Sequence, residues 1–160
     1  MQTSFTENQL KDKDNKTSET IIRKCVHCGM CNATCPTYGI NGEELEGPRG
    51  RIYLIKDMLE NKKPATKQIA KHIDSCLSCY SCMTTCPSGV NYMHLIDHGR
   101  NYVEETYKRP FFDRLFRNIL SFVLPRPKVF LLMALSSKII KPFSFLFPKF
   151  LKNALSLMPD

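Results

Sequence analysis

The residues with the clearest chemical potential are eight cysteines, and they stand in two tight groups. "CVHCGMCNATCP" at residues 25–36 holds Cys25, Cys28, Cys31 and Cys35. "CLSCYSCMTTCP" at residues 76–87 holds Cys76, Cys79, Cys82 and Cys86. The second group repeats the first at an offset of 51 residues, and each ends in Cys-Pro, at Pro36 and Pro87. No other cysteine exists in the 160 residues. Four thiols so close together could bridge, hold zinc, do thiol redox chemistry or hold a metal cluster. Such short internal spacings suit a compact ligand loop better than bridges between distant segments. A Cys₄ zinc site pairs two separated C-x₂₋₄-C knuckles, and the third cysteine of each run here is one that zinc does not need.

The spacing is C-x₂-C-x₂-C-x₃-C-P, the ligand run of bacterial [4Fe–4S] proteins. A chain wrapped closely around a cubane supplies three thiolates from successive C-x₂-C steps. The fourth comes from the other run in two-cluster proteins. The proline after the fourth cysteine lacks an N–H and fixes its own φ, so it turns the chain away. The expected cofactors are therefore two [4Fe–4S] clusters. One takes Cys25, Cys28, Cys31 and Cys86; the other takes Cys76, Cys79, Cys82 and Cys35. Both runs are intact, so no three-iron variant is expected.

Other candidate residues carry less. His27 lies between two ligands, but the cysteine set is complete without it, and it reads as a loop residue near a cluster. His94 and His98 are four apart without the H-E-x-x-H pattern of a zinc site, which reads as a solvated or packed helix face. Gly29 follows the second cysteine of the first run and Tyr80 that of the second, so the surroundings of the two clusters should differ. "GPRGRI" is too short for a phosphate loop and lacks the G-K-[ST] ending. Arg49 and Arg51 within it are left as cluster-proximal charges, docking charges or solvated arginines. No Gly-rich flavin or nicotinamide fingerprint and no acid/base pair is evident. Nothing here reads as a substrate site, so chemistry on a substrate would belong to a partner.

The elements that position the cysteines read as helical. Ile52, Ile55, Met58 and Leu59 recur at helical spacing and are stopped by Asn61 and Pro64. "ATKQIAKHIDS" carries Ile69 and Ile73 on one face. Ser18 or Thr20 is expected to cap a turn leading Ile21 and Ile22 into Cys25. "VNYMHLIDHGRNYVEETY" reads as a longer helix weakened by Gly99. No strand pair is evident in residues 19–107. The division expected is a disordered polar N-terminus over 1–18, a helical two-cluster domain over 19–107, and a basic Pro/Phe/Leu-rich helical segment over 108–160.

Net charge is +8. From Arg100 onward eleven Lys/Arg face four Asp/Glu, so the basic character belongs to the C-terminal third. A basic segment meets nucleic acid, anionic lipid or an acidic partner. Its longest unbroken apolar run is seven residues, Val129–Leu135, far short of the roughly 20 that span a bilayer. Helices packed on a domain core are the favoured expectation, and amphipathic segments on a membrane surface the alternative. No secretory signal is evident at the N-terminus, so the cytoplasm is the expected compartment, with peripheral contact at the inner face of the cytoplasmic membrane as the extension of that alternative.

"CVHCGMCNATCPTYGINGEELEGPRGRIYLIKDMLE" with "HIDSCLSCYSCMTTCPSGVNYMHLIDHGR" closely resembles the iron–sulfur subunits of bacterial glycolate oxidases. The resemblance covers about residues 19–107. "GEELEGPRGRIYLIK" and "TTCPSGVNY" set it apart from the heterodisulfide reductase, anaerobic glycerol-3-phosphate dehydrogenase and succinate dehydrogenase modules that share the cysteine runs. It implies a mainly α fold of the α-helical ferredoxin type, with two [4Fe-4S] cluster loops. It also implies an electron relay from flavin subunits that oxidise glycolate to glyoxylate toward the respiratory chain. Flavin-containing dehydrogenase subunits are the implied partners. The eight cysteines match the family's ligands position by position. Family members continue with two further cysteine-rich CCG-type domains, so the resemblance implies a fragment or a split gene. The alternatives are the iron–sulfur subunit of another complex (glycerol-3-phosphate dehydrogenase, lactate dehydrogenase or heterodisulfide reductase type) or an iron–sulfur regulator that binds nucleic acid. The latter is not expected, because the basic residues are interleaved with Phe and Leu and no recognition motif accompanies them.

Overall fold

A computed structural model describes residues 1–140, with side chains through residue 135. The remainder of the basic C-terminal segment lies outside the described residues. The chain divides into two compact units, residues 1–108 and 109–160. Every described element is helical. They are α1 (Lys13–Lys24), α2 (Pro36–Asn41), α3 (Pro48–Asn61), α4 (Lys67–Asp74), α5 (Ser81–Thr84), α6 (Tyr92–Thr106), α7 (Phe111–Val123) and α8 (Pro127–Ile140). Short 3₁₀ turns occupy Gln9–Lys11, Met30–Asn32 and Glu44–Glu46.

In the first unit α6 lies at the centre and packs on α1, α3 and α4. Its buried face is Leu95, Ile96 and Val103, opposed by Ile21 and Ile22 of α1, Ile52, Ile55, Met58 and Leu59 of α3, and Ile73 of α4. Burying an aliphatic side chain of this size stabilises by roughly 1.5–3 kcal/mol. This stripe is what holds the cysteine loops in register. The apolar residues expected on α3 are all buried. Ile73 of α4 is buried as well, while Ile69 packs at its edge.

Three local expectations change. Residues 1–18 are not a free tail. Asp12 caps α1 by accepting from the Asn15 N–H at 2.8 Å. The Gln9 amide donates to the Leu59 and Glu60 carbonyls at 2.8 and 2.9 Å, closing the C-terminal end of α3, where the last helical carbonyls lack partners. The segment is held by hydrogen bonds, which polar composition conceals. Ser18 is no cap: it is fully buried within α1, and its hydroxyl meets His98 Nδ1 at 2.7 Å. Gly99 does not weaken α6. A Cβ there would lie 2.8 Å from Ile55 Cγ1, so glycine lets α6 approach α3.

Two further glycines explain the "GPRG" stretch. A Cβ on Gly50 would lie 2.3 Å from the Glu44 carbonyl oxygen, and one on Gly47 would lie 2.5 Å from Asn32 Oδ1. The start of α3 therefore presses directly on the turn Glu44–Glu46.

In the second unit the expectation of helices packed on a core is not met among the described residues. Phe111, Phe112, Phe116, Ile119 and Phe122 of α7 are exposed, as are Phe130, Leu131 and Leu132 of α8. No single described helix is long and apolar enough to cross a membrane, and Phe111–Val123 and Pro127–Leu135 are bent by 110° at their junction.

Candidate metal centre

The local structure of the two cysteine runs repeats as their sequence does. His27 and Gly29 take left-handed backbone, at φ 60° and 83°. Their equivalents Ser78 and Tyr80 do the same, at φ 51° and 55°. Left-handed residues on both sides of the second cysteine curl each loop tightly. A short turn follows in both, Met30–Asn32 in one and α5 in the other. After the fourth cysteine the copies diverge: Pro36 opens α2 at its first position, whereas Pro87 lies in a turn.

The folded loops surround two cavities. The first is lined by Cys25, Cys28, Cys31 and Cys86, with Cys82 in its wall. The second is lined by Cys35, Cys76, Cys79 and Cys82. Each cavity thus gathers the first three cysteines of one run and the fourth of the other, with Cys82 reaching the first cavity as well. Cys82, Pro48 and Tyr92 line both and form the wall between them. All eight are free thiols, and Cys28 and Cys79 are the exposed ones.

The electrostatics follow the same division. Burial pushes the Cys31 thiol up, and so do the neighbouring sulfurs Cys25, Cys86 and Cys28. Burial pushes Cys82 up to about 12, reinforced by Cys31, Cys76, Cys35 and Cys79. Cys79 goes the other way, because the Ser81 N–H and hydroxyl donate to its sulfur. Crowded, desolvated thiols of this kind are costly as bare thiolates, and a bound cation removes that cost by deprotonating its ligands outright. A sulfur-only donor set in two compact groups suits iron–sulfur clusters.

Of the three readings left open for Arg51, the cavity-proximal one holds, and several of its polar neighbours escaped the sequence reading. Arg51 is 1% exposed. Its Nε donates to the His72 carbonyl at 2.7 Å, and its Nη2 to Glu46 Oε2 at 2.9 Å, Thr37 Oγ1 at 3.1 Å and Ser75 Oγ at 3.1 Å. His72 Nδ1 lies 2.8 Å from Glu46 Oε1. Burial raises the Glu46 carboxyl, but hydrogen bonds from Ser75 and His72 and the Arg51 charge outweigh it and hold it below the usual range. Arg49, by contrast, is partly exposed and pairs with Glu44 beside the first cavity. Arg100 clamps the second loop, donating to Ser78 Oγ and the Cys76 carbonyl, both at 2.6 Å. Tyr92 is buried, and its hydroxyl lies 3.7 Å from Cys76 Sγ. Spacing along the chain gives no sign of these groups, because they come from separate elements. The clue in sequence was an Arg and a Glu close together in an otherwise polar turn.

The histidines divide as well. His27 lines the first cavity, meets Tyr53 in a tilted ring contact at 5.8 Å, and has its pKa lowered by burial and then by Arg49. His98 is packed against Ser18 of α1, and the ring centroids of His94 and His98 are 6.2 Å apart.

The fold is a helical domain with two cysteine loops, and residues 21–90 match the family described as a 4Fe-4S dicluster domain. Over a longer stretch the chain is similar to the glycolate oxidase iron-sulfur subunit of Escherichia coli (strain K12), at 48% identity across 143 residues. That alignment takes in 89% of this chain and 35% of the relative. A Bacillus subtilis (strain 168) protein named "Probable glycolate oxidase iron-sulfur subunit" is 32% identical over 117 residues, 70% of this chain and 26% of its own. The succinate dehydrogenase iron-sulfur subunit of Paracoccus denitrificans is 28% identical over 76 residues, 44% of this chain and 29% of its own. The chain spans about a third or less of the length of these relatives. No solved structure matches it.

Proposed function

We propose that this chain is the electron-carrying iron–sulfur part of a flavin-dependent 2-hydroxy-acid dehydrogenase that oxidises glycolate to glyoxylate. Its two [4Fe–4S] clusters are held by Cys25, Cys28, Cys31 and Cys86, and by Cys76, Cys79, Cys82 and Cys35. The observation that supports this reading is the crossed arrangement of the fourth cysteines: Cys86 lines the cavity of Cys25, Cys28 and Cys31, and Cys35 lines that of Cys76, Cys79 and Cys82, with Cys82 in the wall of both. The similarity to glycolate oxidase iron-sulfur subunits supplies the substrate class. Glycolate oxidation releases two electrons and two protons, which a flavin partner accepts together. Bound clusters supply one-electron steps, passing those electrons singly toward the respiratory chain. The chain's own residues position that relay: Cys82 and Tyr92 stand in the wall between the cavities, and the exposed Cys28 and Cys79 mark their outer edges.

The test is anaerobic reconstitution of the full chain, followed by co-expression with flavin subunits. A brown protein with eight iron and eight acid-labile sulfide per chain, about four of each per cubane, whose clusters are reduced when glycolate is added, is the expected result. A colourless zinc protein would sink the cluster reading. Reduction by lactate or glycerol 3-phosphate but not glycolate would move the chain to another dehydrogenase and leave the relay role standing.

A second observation favours contact of the basic segment with lipid. The exposed Phe111, Phe112, Phe116 and Phe122 lie in the third of the chain that holds most of its net positive charge. That combination suits an anionic membrane surface, with the cytoplasm as the compartment. Co-sedimentation with anionic vesicles, weakened by Phe112→Asp with Phe116→Asp, is the expected result; equal binding by the variant would overturn it.

A further inference from the structure

The buried ion pair of Arg51 and Glu46 needs a reason. Their side chains are 1% and 3% exposed and meet at 2.9 Å. Removing two charges from water costs several kcal/mol per ion, and a buried pair is often no more stabilising than apolar side chains of the same volume. Stability alone is a weak explanation for it.

Its location is more informative. Arg51 Nη1 lies 4.0 Å from Cys35 Sγ. Thr37 Oγ1 joins the two, 3.2 Å from the sulfur and 3.1 Å from Arg51 Nη2. The Glu46 main-chain oxygen lies 3.6 Å from the same sulfur, while its carboxylate is turned to Arg51, His72 and Ser75. Arg51 and Cys35 both line the second cavity. The first cavity has Arg49 in its wall, but that side chain is 32% exposed and its partner Glu44 is 42% exposed, so water screens the pair. In a low-dielectric site a charge acts several times more strongly than at the surface.

We infer that the buried Arg51–Glu46 pair sets the reduction potential of the cluster bound through Cys35, with Arg51 raising it and Glu46 restraining it. A reduced cluster carries one more negative charge than an oxidised one. A guanidinium beside the ligand sulfur therefore favours the reduced form, and a carboxylate opposes it. Charge and hydrogen bonds to sulfur are among the means by which a protein tunes such clusters. The inference rests on the proposed ligation of that cluster by Cys35, Cys76, Cys79 and Cys82. Arg51 and Glu46 act here as positioning and tuning residues, through the cluster's ligand.

The test is an EPR-monitored redox titration of the full reconstituted chain as wild type, Arg51→Gln, Glu46→Gln and Arg51→Lys. The clusters are told apart by the signals altered in Cys28→Ser and in Cys79→Ser. Arg51→Gln should lower the potential of the second cluster and Glu46→Gln should raise it, with the first cluster unmoved. Arg51→Lys keeps the charge and should stay near wild type. Opposite shifts are not what a loosened structure produces. Shifts of the same sign, equal shifts in both clusters, a shift confined to the first cluster, or no shift at all would each overturn the inference. If Arg51→Gln fails to load its cluster, Glu46→Gln and Arg51→Lys still carry the test, since an unraised potential in the former refutes it. A wild-type chain that binds no cluster refutes the iron–sulfur reading itself. Two normal clusters with unmoved potentials refute the tuning alone.

Discussion

Thr34 and Thr85 occupy the same position in the two cysteine runs, 51 residues apart, and hydrogen-bond to each other, Oγ1 to Oγ1, at 3.0 Å. Equivalent residues of a repeat meet in this way when a local two-fold axis runs between them, as in an isologous dimer interface. Each threonine immediately precedes the fourth cysteine of its run. This contact joins the ends of the two runs, where Cys35 lines the cavity of Cys76, Cys79 and Cys82 while Cys86 lines the cavity of Cys25, Cys28 and Cys31.

Single ligand replacements should therefore act across the repeat. Cys35→Ala is expected to damage the cluster whose other ligands lie at residues 76–82, and Cys86→Ala the one at residues 25–31. Iron content and EPR of each reconstituted variant provide the check. Loss of the cluster at Cys25, Cys28 and Cys31 in Cys35→Ala would show that the crossover is wrong.

Gly50→Ala should be among the most damaging small substitutions in the chain. The added Cβ meets main chain, the Glu44 carbonyl at 2.3 Å, which cannot swing aside as a side chain can. A loss of about 3 kcal/mol is expected, at the upper end for overpacking. Urea unfolding of wild type and variant measures it. An unchanged midpoint would mean that the turn at Glu44–Glu46 moves freely.

Gly29→Ala should be milder. Its φ of 83° costs a non-glycine residue about 1–2 kcal/mol, while the contact at 2.8 Å is with the end of the flexible Arg49 side chain. Tyr80 bears the same backbone strain at φ 55° in the second run. The expected loss is about 1–2 kcal/mol, accompanied by a displaced Arg49 and a loosened Arg49–Glu44 pair. A loss as large as that of Gly50→Ala would contradict this ranking.

The metal-free chain should respond to alkaline pH. Its folded state holds the Cys82 proton up to about 12, above the ordinary thiol value of 9.0, because of burial. The unfolded chain releases that proton first, so this contribution to stability is intact below pH 9 and is lost as pH rises through about 12. Denaturant midpoints of the metal-free chain over that window give the measurement, and Cys82→Ala should flatten the dependence. In the same preparation Cys79, exposed and lowered by Ser81, should be alkylated first and Cys82 last. The reverse order, read by mass spectrometry, would refute both assignments.

Much of this protein was legible in one dimension. Ligand type, spacing and the 51-residue repeat are local properties, and a C-x₂-C-x₂-C step names its chemistry wherever it folds. The apolar period of α3 likewise announced its buried face, since helix geometry alone puts Ile52, Ile55, Met58 and Leu59 on one side. What chain order could not reveal was anything that depends on two distant elements meeting. Gln9 looked like part of a loose polar tail until the end of α3 offered it two carbonyls. Gly99 looked like a flaw in a helix until Ile55 stood against it. Arg51 looked no different from Arg49, two residues away. Burial, which follows from the approach of Glu46, His72 and Ser75, separates a solvated charge from one aimed at a ligand sulfur. The cysteines determine what can be bound, and the packing decides how the field around them differs from one cavity to the other.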